Sequence, residues 1–456
     1  MSPAAHLRSL VLALCATLPA CAPTTRELRG PVDDLVATRM GASRAKIDVH
    51  ALLARPLDRV AAQKIAIANN ARLAATFDEL GIAGGELGAA LGLGPVRIEA
   101  AMRFSDPREY ELDAVQSVMG LVSAPRRRAA AHADIAAAKA KAAAETLKLV
   151  ARVDIAFTDF LAAQQALGTR REAFAAADAS ATLRERMYAA GNTTALAQAR
   201  ERAEREQARI ALGRAEATVE LRRSTLDALL GVSGDDTKWT ATGELALVPD
   251  AAPSLDGLEA AAVSASLAIE AGRASRDAAE NRAADLRLRT VLPDLGVGVS
   301  IHDDENGTGV GPMVAIGLPL FDWKSGERAR ANAQIDRAAH ELTATAVDLR
   351  ADARAARIRA LAAYQEARHY EQIVLPLRQQ ILDETLKHYN AMDAEVFELL
   401  IARRDLVDAE DQALDARRRY WNAMAAVDAL NRGVSIAVSD EESPIRASMP
   451  QPEEHR

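Results

Sequence analysis

Between Gly311 and Thr343 the chain changes its period. Val314, Ile316, Leu318 and Leu320 alternate with Ala315, Gly317 and Pro319, the two-residue repeat of a strand. After a short polar turn, Asp322 to Gly326, apolar residues recur at helical spacing instead. From Ile335 the positions seven apart are Ile335, Leu342, Leu349, Ala356, Ala363, Tyr370 and Leu377. Their companions four residues later are Ala339, Ala346, Ala353, Ala360, Ala367, Val374 and Ile381. A sustained seven-residue repeat is the pattern of coiled-coil packing, and its many alanines let neighbouring helices approach closely. A helix from about Ser325 to His388 would be about 95 Å long at its fixed rise per residue. Pro376 predicts a local kink within it.

The same order of elements is written twice. Pro95 corresponds to Pro293, Gly120 to Gly317, Tyr188 to Tyr389 and Gly231 to Gly433, at offsets of 198, 197, 201 and 202 by subtraction. A near-constant offset predicts internal duplication. Each half reads as a helix, two strands, a very long helix, a turn near a tyrosine and a returning helix. In the first strand Val96, Ile98, Ala100, Met102 and Phe104 alternate with Arg97, Glu99, Ala101 and Arg103. In the third, Leu295, Val297, Val299 and Ile301 alternate with Gly296, Gly298 and Ser300. One face is apolar and the other polar or small, as in a transmembrane β-barrel with a wet lumen. A half-buried soluble sheet is the alternative for any single hairpin; the duplication and the N-terminus favour the membrane. Four strands cannot close a barrel, and unpaired backbone groups in hydrocarbon cost several kcal/mol each, so several copies must share one barrel.

Composition narrows the classes further. Aromatic residues make up only 4% of the 456, which disfavours large compact cores and fits long, alanine-rich packed helices. A net charge of −8, with arginines dispersed along helical faces and no clustered basic groove, argues against nucleic acid as a partner. At the N-terminus, Arg8 precedes an apolar core from Leu10 to Leu18, the form of an export signal too short to span a bilayer. Leu18-Pro19-Ala20-Cys21 resembles a bacterial lipobox, in which Cys21 is acylated and becomes the first mature residue; a plain cleaved signal is the alternative. Cys15 lies inside the signal, so no disulfide is expected within a mature chain. Ala22 follows the cysteine where an aspartate would favour retention at the inner membrane, which points to the outer membrane.

No catalytic constellation is present in the sequence, and no cofactor or metal is expected. GIAGGELGAALGLG, residues 81–94, has the glycine density of a phosphate loop but neither a preceding strand nor GK[ST], and reads as a flexible link into the first strand. The histidines lack paired ligand spacing. His302, Asp303, Asp304 and Glu305 fall in a hairpin loop and read as solvated, with a weak divalent-ion site as the alternative. Arg126, Arg127 and Arg128 open the first long helix, at the expected level of the inner lipid headgroups. With no nucleotide-binding motif, any transport must draw its energy from a partner.

GLPLFDWKSGERARANAQ, the later YNAMDAEVFELLIARRDLVDAEDQALDARRRYWNAMAAVDALNRG and the lipobox together resemble outer-membrane efflux proteins of the TolC-like family, lipoprotein branch. The likeness runs from about Leu57 to Gly433 and is more specific in the second half. It implies a mainly α fold with a membrane β-barrel portion: a homotrimer whose twelve-stranded barrel continues into a coiled-coil periplasmic tunnel. The implied division is a signal peptide (1–20), a lipidated linker (21–56), repeat 1 (57–231), an equatorial linker (232–256), repeat 2 (257–433) and a tail (434–456). The implied function is a passive exit duct for small molecules or metal ions, lipid-anchored in the outer membrane and docked on a periplasmic adaptor and an inner-membrane pump. A protein-secretion duct, or a non-conducting coiled-coil envelope lipoprotein, is the alternative; a periplasmic hydrolase lacks a nucleophile or metal set. The resemblance places adaptor-contacting tips at Tyr188, Gly191, Tyr389 and Met392, and the periplasmic constriction at Glu398 with Asp393 and Glu395. Two departures stand out. Met392 replaces the tip glycine kept at Gly191, so the second turn is expected to differ in shape, and Ile401 takes the place of a second acidic residue. A surface pair between Glu398 and a nearby arginine is the alternative to a place in the constriction.

Overall fold

The computed structural model describes residues 23–41, 47–92, 96–104, 109–291, 294–304, 307–317 and 324–436. Cys21, the export signal, Glu305, Leu318, Leu320 and most of the 434–456 tail lie outside them. The helices are α1 (Thr25–Met40), α2 (Val49–Leu53), α3 (Arg59–Asn69) and α4 (Ala71–Leu91). Strands β1 (Arg97–Arg103) and β2 (Glu109–Ser117) follow, then α5 (Met119–Ala189), α6 (Ala195–Leu230), α7 (Leu258–Ala265) and α8 (Leu267–Val291). Strands β3 (Asp294–Asp304) and β4 (Gly307–Gly317) precede α9 (Ser325–His369), α10 (Leu375–Asn390) and α11 (Val396–Asn431). The order helix, strand, strand, long helix, helix thus occurs twice. Among the described residues no helix is long and apolar enough to cross a membrane.

The chain divides into two compact units. The first comprises 1–44, 72–145 and 266–348; the second comprises 45–71, 146–265 and 349–456. The first unit holds one antiparallel sheet of four strands in the order β1-β2-β3-β4. The central β2–β3 pairing joins the hairpin of one half to that of the other, with Leu112 opposite Ile301 and Val115 opposite Gly298.

The glycine-rich segment corrects one expectation. Residues 81–91 are helical, part of α4, and are not a flexible link. Helix α1 packs on α4 through Leu28, Val32 and Val36, a buried stripe at four-residue spacing. Arg29 lies 4.3 Å from the centroid of the Phe77 ring. The glycines serve this contact. A Cβ at Gly81 would stand 2.3 Å from Thr25 Oγ1, and one at Gly84 would stand 2.8 Å from both Leu28 Cδ1 and the Pro23 carbonyl oxygen. The helical propensity lost at each glycine, about 1 kcal/mol, is offset by letting α1 settle on α4. A capping box starts α1: the Thr24 hydroxyl accepts from Glu27 N–H, and Glu27 Oε2 accepts from Thr24 N–H at 2.8 Å.

In the second unit the predicted seam is buried at Leu349, Ala353, Ala356, Ala360, Ala363 and Ala367. It then leaves its seven-residue register. Tyr370–Val374 form a π turn, in which Leu375 N–H donates to Tyr370 C=O. Pro376 supplies the cause, because it has no N–H to give and its ring crowds the preceding turn. The kink predicted there is realised as one residue added to the turn, and the half-buried positions move accordingly to Leu375, Arg378, Leu382 and Thr385. Leu377 and Ile381, expected in the seam, are instead 53% and 47% exposed.

The 232–256 linker carries a 3-10 turn (Gly234–Thr237) and one parallel bridge, Leu57 to Ala241. Its Trp239, Leu245 and Val248 are buried. Trp239 Nε1 donates to Asp227 at 2.6 Å, Trp421 Nε1 donates to the Ala246 carbonyl at 2.8 Å, and Tyr364 Oη donates to the Asp250 carbonyl at 2.7 Å. At the end of α6, Gly231 adopts φ +70°, and a Cβ there would stand 2.7 Å from the Asn69 carbonyl oxygen. The carboxamides of Asn69 and Asn70 donate to the Gly231 and Leu229 carbonyls, which the helix end leaves open.

Candidate channel wall and helical tips

The cross-strand register sorts the sheet into two faces. Directly paired residues share a face, so Ile98, Ala114, Val299 and Pro312 form one row and Ala100, Leu112, Ile301 and Val310 the next. With Val96, Met102, Tyr110, Val297, Val314 and Ile316 they make one apolar surface, most of it exposed in the single chain. The other face is built from Arg97, Val115, Gly298 and Met313, then Glu99, Asp113, Ser300 and Gly311, then Ala101, Glu111, His302 and Gly309. Charge on that face comes mainly from β1 and β2, while β3 and β4 contribute mostly glycine and other small residues. Among the described residues β1 and β4 are the two edges of the sheet. His302 and Asp303 lie at the loop end, where Thr308 Oγ1 donates to Asp303 Oδ1 at 2.7 Å; no group of His, Cys, Asp and Glu side chains there or elsewhere among the described residues could hold a metal ion.

The two helical hairpins of the second unit end in turns of the same construction. After α5, Gly191 N–H donates to Tyr188 C=O (2.9 Å) and Asn192 N–H to Met187 C=O (2.8 Å), with Gly191 at φ +74°. After α10, Met392 N–H donates to Tyr389 C=O (3.0 Å) and Asp393 N–H to His388 C=O (2.8 Å), with Met392 at φ +61°. Both are Schellman closures. The second turn therefore keeps the shape of the first, against expectation, and Met392 bears a left-handed backbone that glycine would adopt freely. Its side chain is 95% exposed. The helices that leave the turns start differently: the Thr194 hydroxyl accepts from Ala197 N–H at 3.2 Å, whereas Glu395 at the same place makes no side-chain cap.

The residues expected at the constriction occupy distinct settings. Asp393 Oδ2 lies 2.8 Å from His388 Nδ1, Glu395 begins α11, and Glu398 stands exposed in its first turn. Among the described residues Glu398 forms no ion pair. Tyr188 and Tyr389 are both exposed at their turns. Two further tip residues escaped the sequence reading. The Arg184 guanidinium lies 3.0 Å from the centroid of the Phe397 ring and also donates to Thr193 Oγ1 at 3.0 Å, joining the two hairpins. The signal available was a phenylalanine next to the tip in a chain with only seven.

Away from the tips, charged residues tie the long helices together. Arg418 Nη1 and Asn422 Nδ2 donate to Asp159 Oδ1 at 3.1 and 2.8 Å, and Arg170 pairs with Asp408 (3.3 Å) and Asp411 (2.5 Å). Gln63 Nε2 donates to the buried Asp154 Oδ1 at 2.5 Å. Burial holds the Asp154 carboxyl above its ordinary range, opposed by the Gln63 hydrogen bond and by the charges of Arg59 and Arg432, and reinforced by Asp428. These pairs fix neighbouring helices; none is arranged as a nucleophile with a base.

No known family profile matches the sequence, and no curated protein matches it. Solved structures do. The outer membrane protein VceC from Vibrio cholerae aligns with TM-score 0.69 at 18% identity, over 82% of this chain and 96% of VceC. The Campylobacter jejuni CmeC outer membrane channel aligns with TM-score 0.64 at 13% identity, over 85% and 88%. The Neisseria gonorrhoeae MtrE outer membrane channel, in its open state, aligns with TM-score 0.55 at 18% identity, over 82% and 89%. The chain has the fold of these outer membrane proteins, as the resemblance read from its motifs implied.

Proposed function

We propose that this chain is the outer-membrane exit duct of a tripartite efflux system. The observation that carries this is the sheet: an apolar face spanning all four strands, a small and polar face behind it, and two edges with no partner strand among the described residues. Such a sheet is stable in a bilayer only when its edges are paired, and three copies would supply the twelve strands of a closed barrel with a wet lumen. The internal duplication accounts for the repeated element order. Each half contributes one hairpin to the barrel and one helical hairpin to a periplasmic tunnel, whose tips meet an adaptor at Tyr188, Gly191, Tyr389 and Met392. Glu398, with Asp393 and Glu395, lines the constriction. Acylated Cys21 gives a second hold on the outer membrane beside the barrel. The duct is not an enzyme: it conducts small molecules or metal ions passively, and the adaptor-linked inner-membrane pump supplies the energy.

Single cysteines at β1 and β4 edge positions, in a chain whose Cys21 is Ser, should cross-link between copies, and native mass measurement should give three. Planar bilayers should show discrete conductance steps. A stable folded monomer in detergent, or a trimer without conductance, would count against the duct.

A further inference from the structure

The arginines expected at the level of the inner headgroups can be placed on the helix surface one by one. Helix α5 starts two residues after β2, at the same end of the sheet as Arg97 of β1, since Arg97 lies opposite Val115. In its first turns α5 buries Ser123, Ala124, Ala130 and Ala131. Leu121, Val122 and Pro125 lie on the opposite side, with Leu121 and Val122 53% and 43% exposed. Arg126 and Arg128 flank this apolar strip, two residues and so about 200° apart on the helix. Both are exposed, and neither forms an ion pair among the described residues. Arg127, between them, turns inward and donates to the Gly92 and Gly120 carbonyls at 3.1 and 2.9 Å. The second half also carries an exposed arginine near the start of its long helix. Arg330 stands 202 residues after Arg128, near the start of the helix that follows β4, again exposed and without an ion pair among the described residues. The hairpin end of the sheet carries the opposite sign, with Glu111 and Asp303.

We infer that Arg126, Arg128 and Arg330 form a basic belt that binds the phosphates of anionic phospholipid headgroups in the inner leaflet of the outer membrane. This rests on the barrel reading above. An apolar strip continuing from the lipid-facing sheet, edged by arginines whose stems can lie along it while their guanidinium groups reach the aqueous edge, is the form of an interfacial anchor. The occupant is an anionic bilayer surface, because the three arginines form no ion pair among the described residues, and Arg126 and Arg128 adjoin the exposed Leu121 and Val122. Duplication sets the belt on both long helices of every copy, while the acidic hairpin end faces the other leaflet.

The test uses the full-length protein in phosphatidylcholine vesicles containing a minor share of phosphatidylglycerol, with spin-labelled lipids reporting those held at the protein surface. Wild type should hold labelled phosphatidylglycerol over phosphatidylcholine by about fivefold, the effect of one basic side chain at an anionic surface, and added salt should erase the preference. Arg126→Gln, Arg128→Gln and Arg330→Gln together should bring it to parity, whereas the three lysine replacements should retain it. Glutamine at Arg200, Arg209 and Arg214, exposed arginines of α6, should leave it unchanged. An inserted wild type with no preference, or one unaffected by salt, overturns the belt and leaves the barrel standing. An inserted triple glutamine variant that keeps the preference does the same. A wild type that immobilises neither lipid has no bilayer-spanning sheet, and overturns the barrel reading together with the belt.

Discussion

The pairing of β2 with β3 rests on a glycine that admits no side chain. Gly298 lies opposite Val115, and a Cβ built on it would stand 2.1 Å from the Ala114 carbonyl oxygen, 2.9 Å from its carbon and 3.0 Å from Val115 Cα. All three are backbone atoms, which cannot turn aside as a side-chain end would. Bringing the first contact to the 3.0 Å below which real Cβ atoms are essentially never found needs a shift of 3.0 − 2.1, about 0.9 Å, between two strands held by a hydrogen-bonded ladder. Overpacking of this kind costs about 1–3 kcal/mol. A loss of about 2 kcal/mol lowers protection of the joined strands roughly thirtyfold. Hydrogen exchange on folded full-length Gly298→Ala should show this over residues 109–117 and 294–304. Gly311→Ala is the control, since it shares the same face and a Cβ there meets nothing within 4 Å. Its exchange should match wild type or slow slightly, because alanine restricts the unfolded chain. Equal protection in both variants would refute the register and the close approach of the two hairpins.

The tips, the buried carboxylate and the constriction each give a further outcome. Met392→Gly should stabilise the second tip by about 1 kcal/mol by relieving a left-handed methionine, and Gly191→Ala should weaken the first by a similar amount, both read as local exchange rates. Equal and opposite effects would not appear if either turn had another shape. The Asp154 carboxyl is raised in the folded state, so its contribution to stability is full below the unfolded value and is lost as pH rises through the folded one. Denaturant titrations across that window should slope downward in wild type and flatten in Asp154→Asn, which still accepts from Gln63; an unchanged slope assigns the effect elsewhere. If the chain forms the proposed trimeric duct with Glu398 at its constriction, Glu398→Gln should reduce cation preference and divalent block in planar bilayers, because three carboxylates around a narrow axis would attract cations. Unchanged selectivity would take Glu398 out of the constriction and leave the duct in place.

Periodicity alone determined the element types. The two-residue alternation of Val96–Phe104 and Leu295–Ile301 is a local property of the backbone, so it was legible before any contact was known, as was the helical repeat from Leu349 to Ala367. The near-constant offset of the two halves likewise foretold the repeated order of elements. What failed in the sequence depended on contacts and hydrogen bonds that no residue pattern displays. Glycines at 81 and 84 read as flexibility until Pro23, Thr25 and Leu28 were found against them, because a missing side chain has meaning only through what fills its place. The seam after Tyr370 changed register because one proline forced an extra residue into the turn, a shift invisible to a fixed seven-residue count. The left-handed methionine at the second tip was set by the hydrogen bonds closing the helix, which override the local preference of its side chain. Arg184 and Phe397, 213 positions apart by subtraction, meet only because two hairpins fold side by side. Sequence fixes what each segment prefers; tertiary packing decides which preference yields, since long-range contacts offset local costs of about 1 kcal/mol.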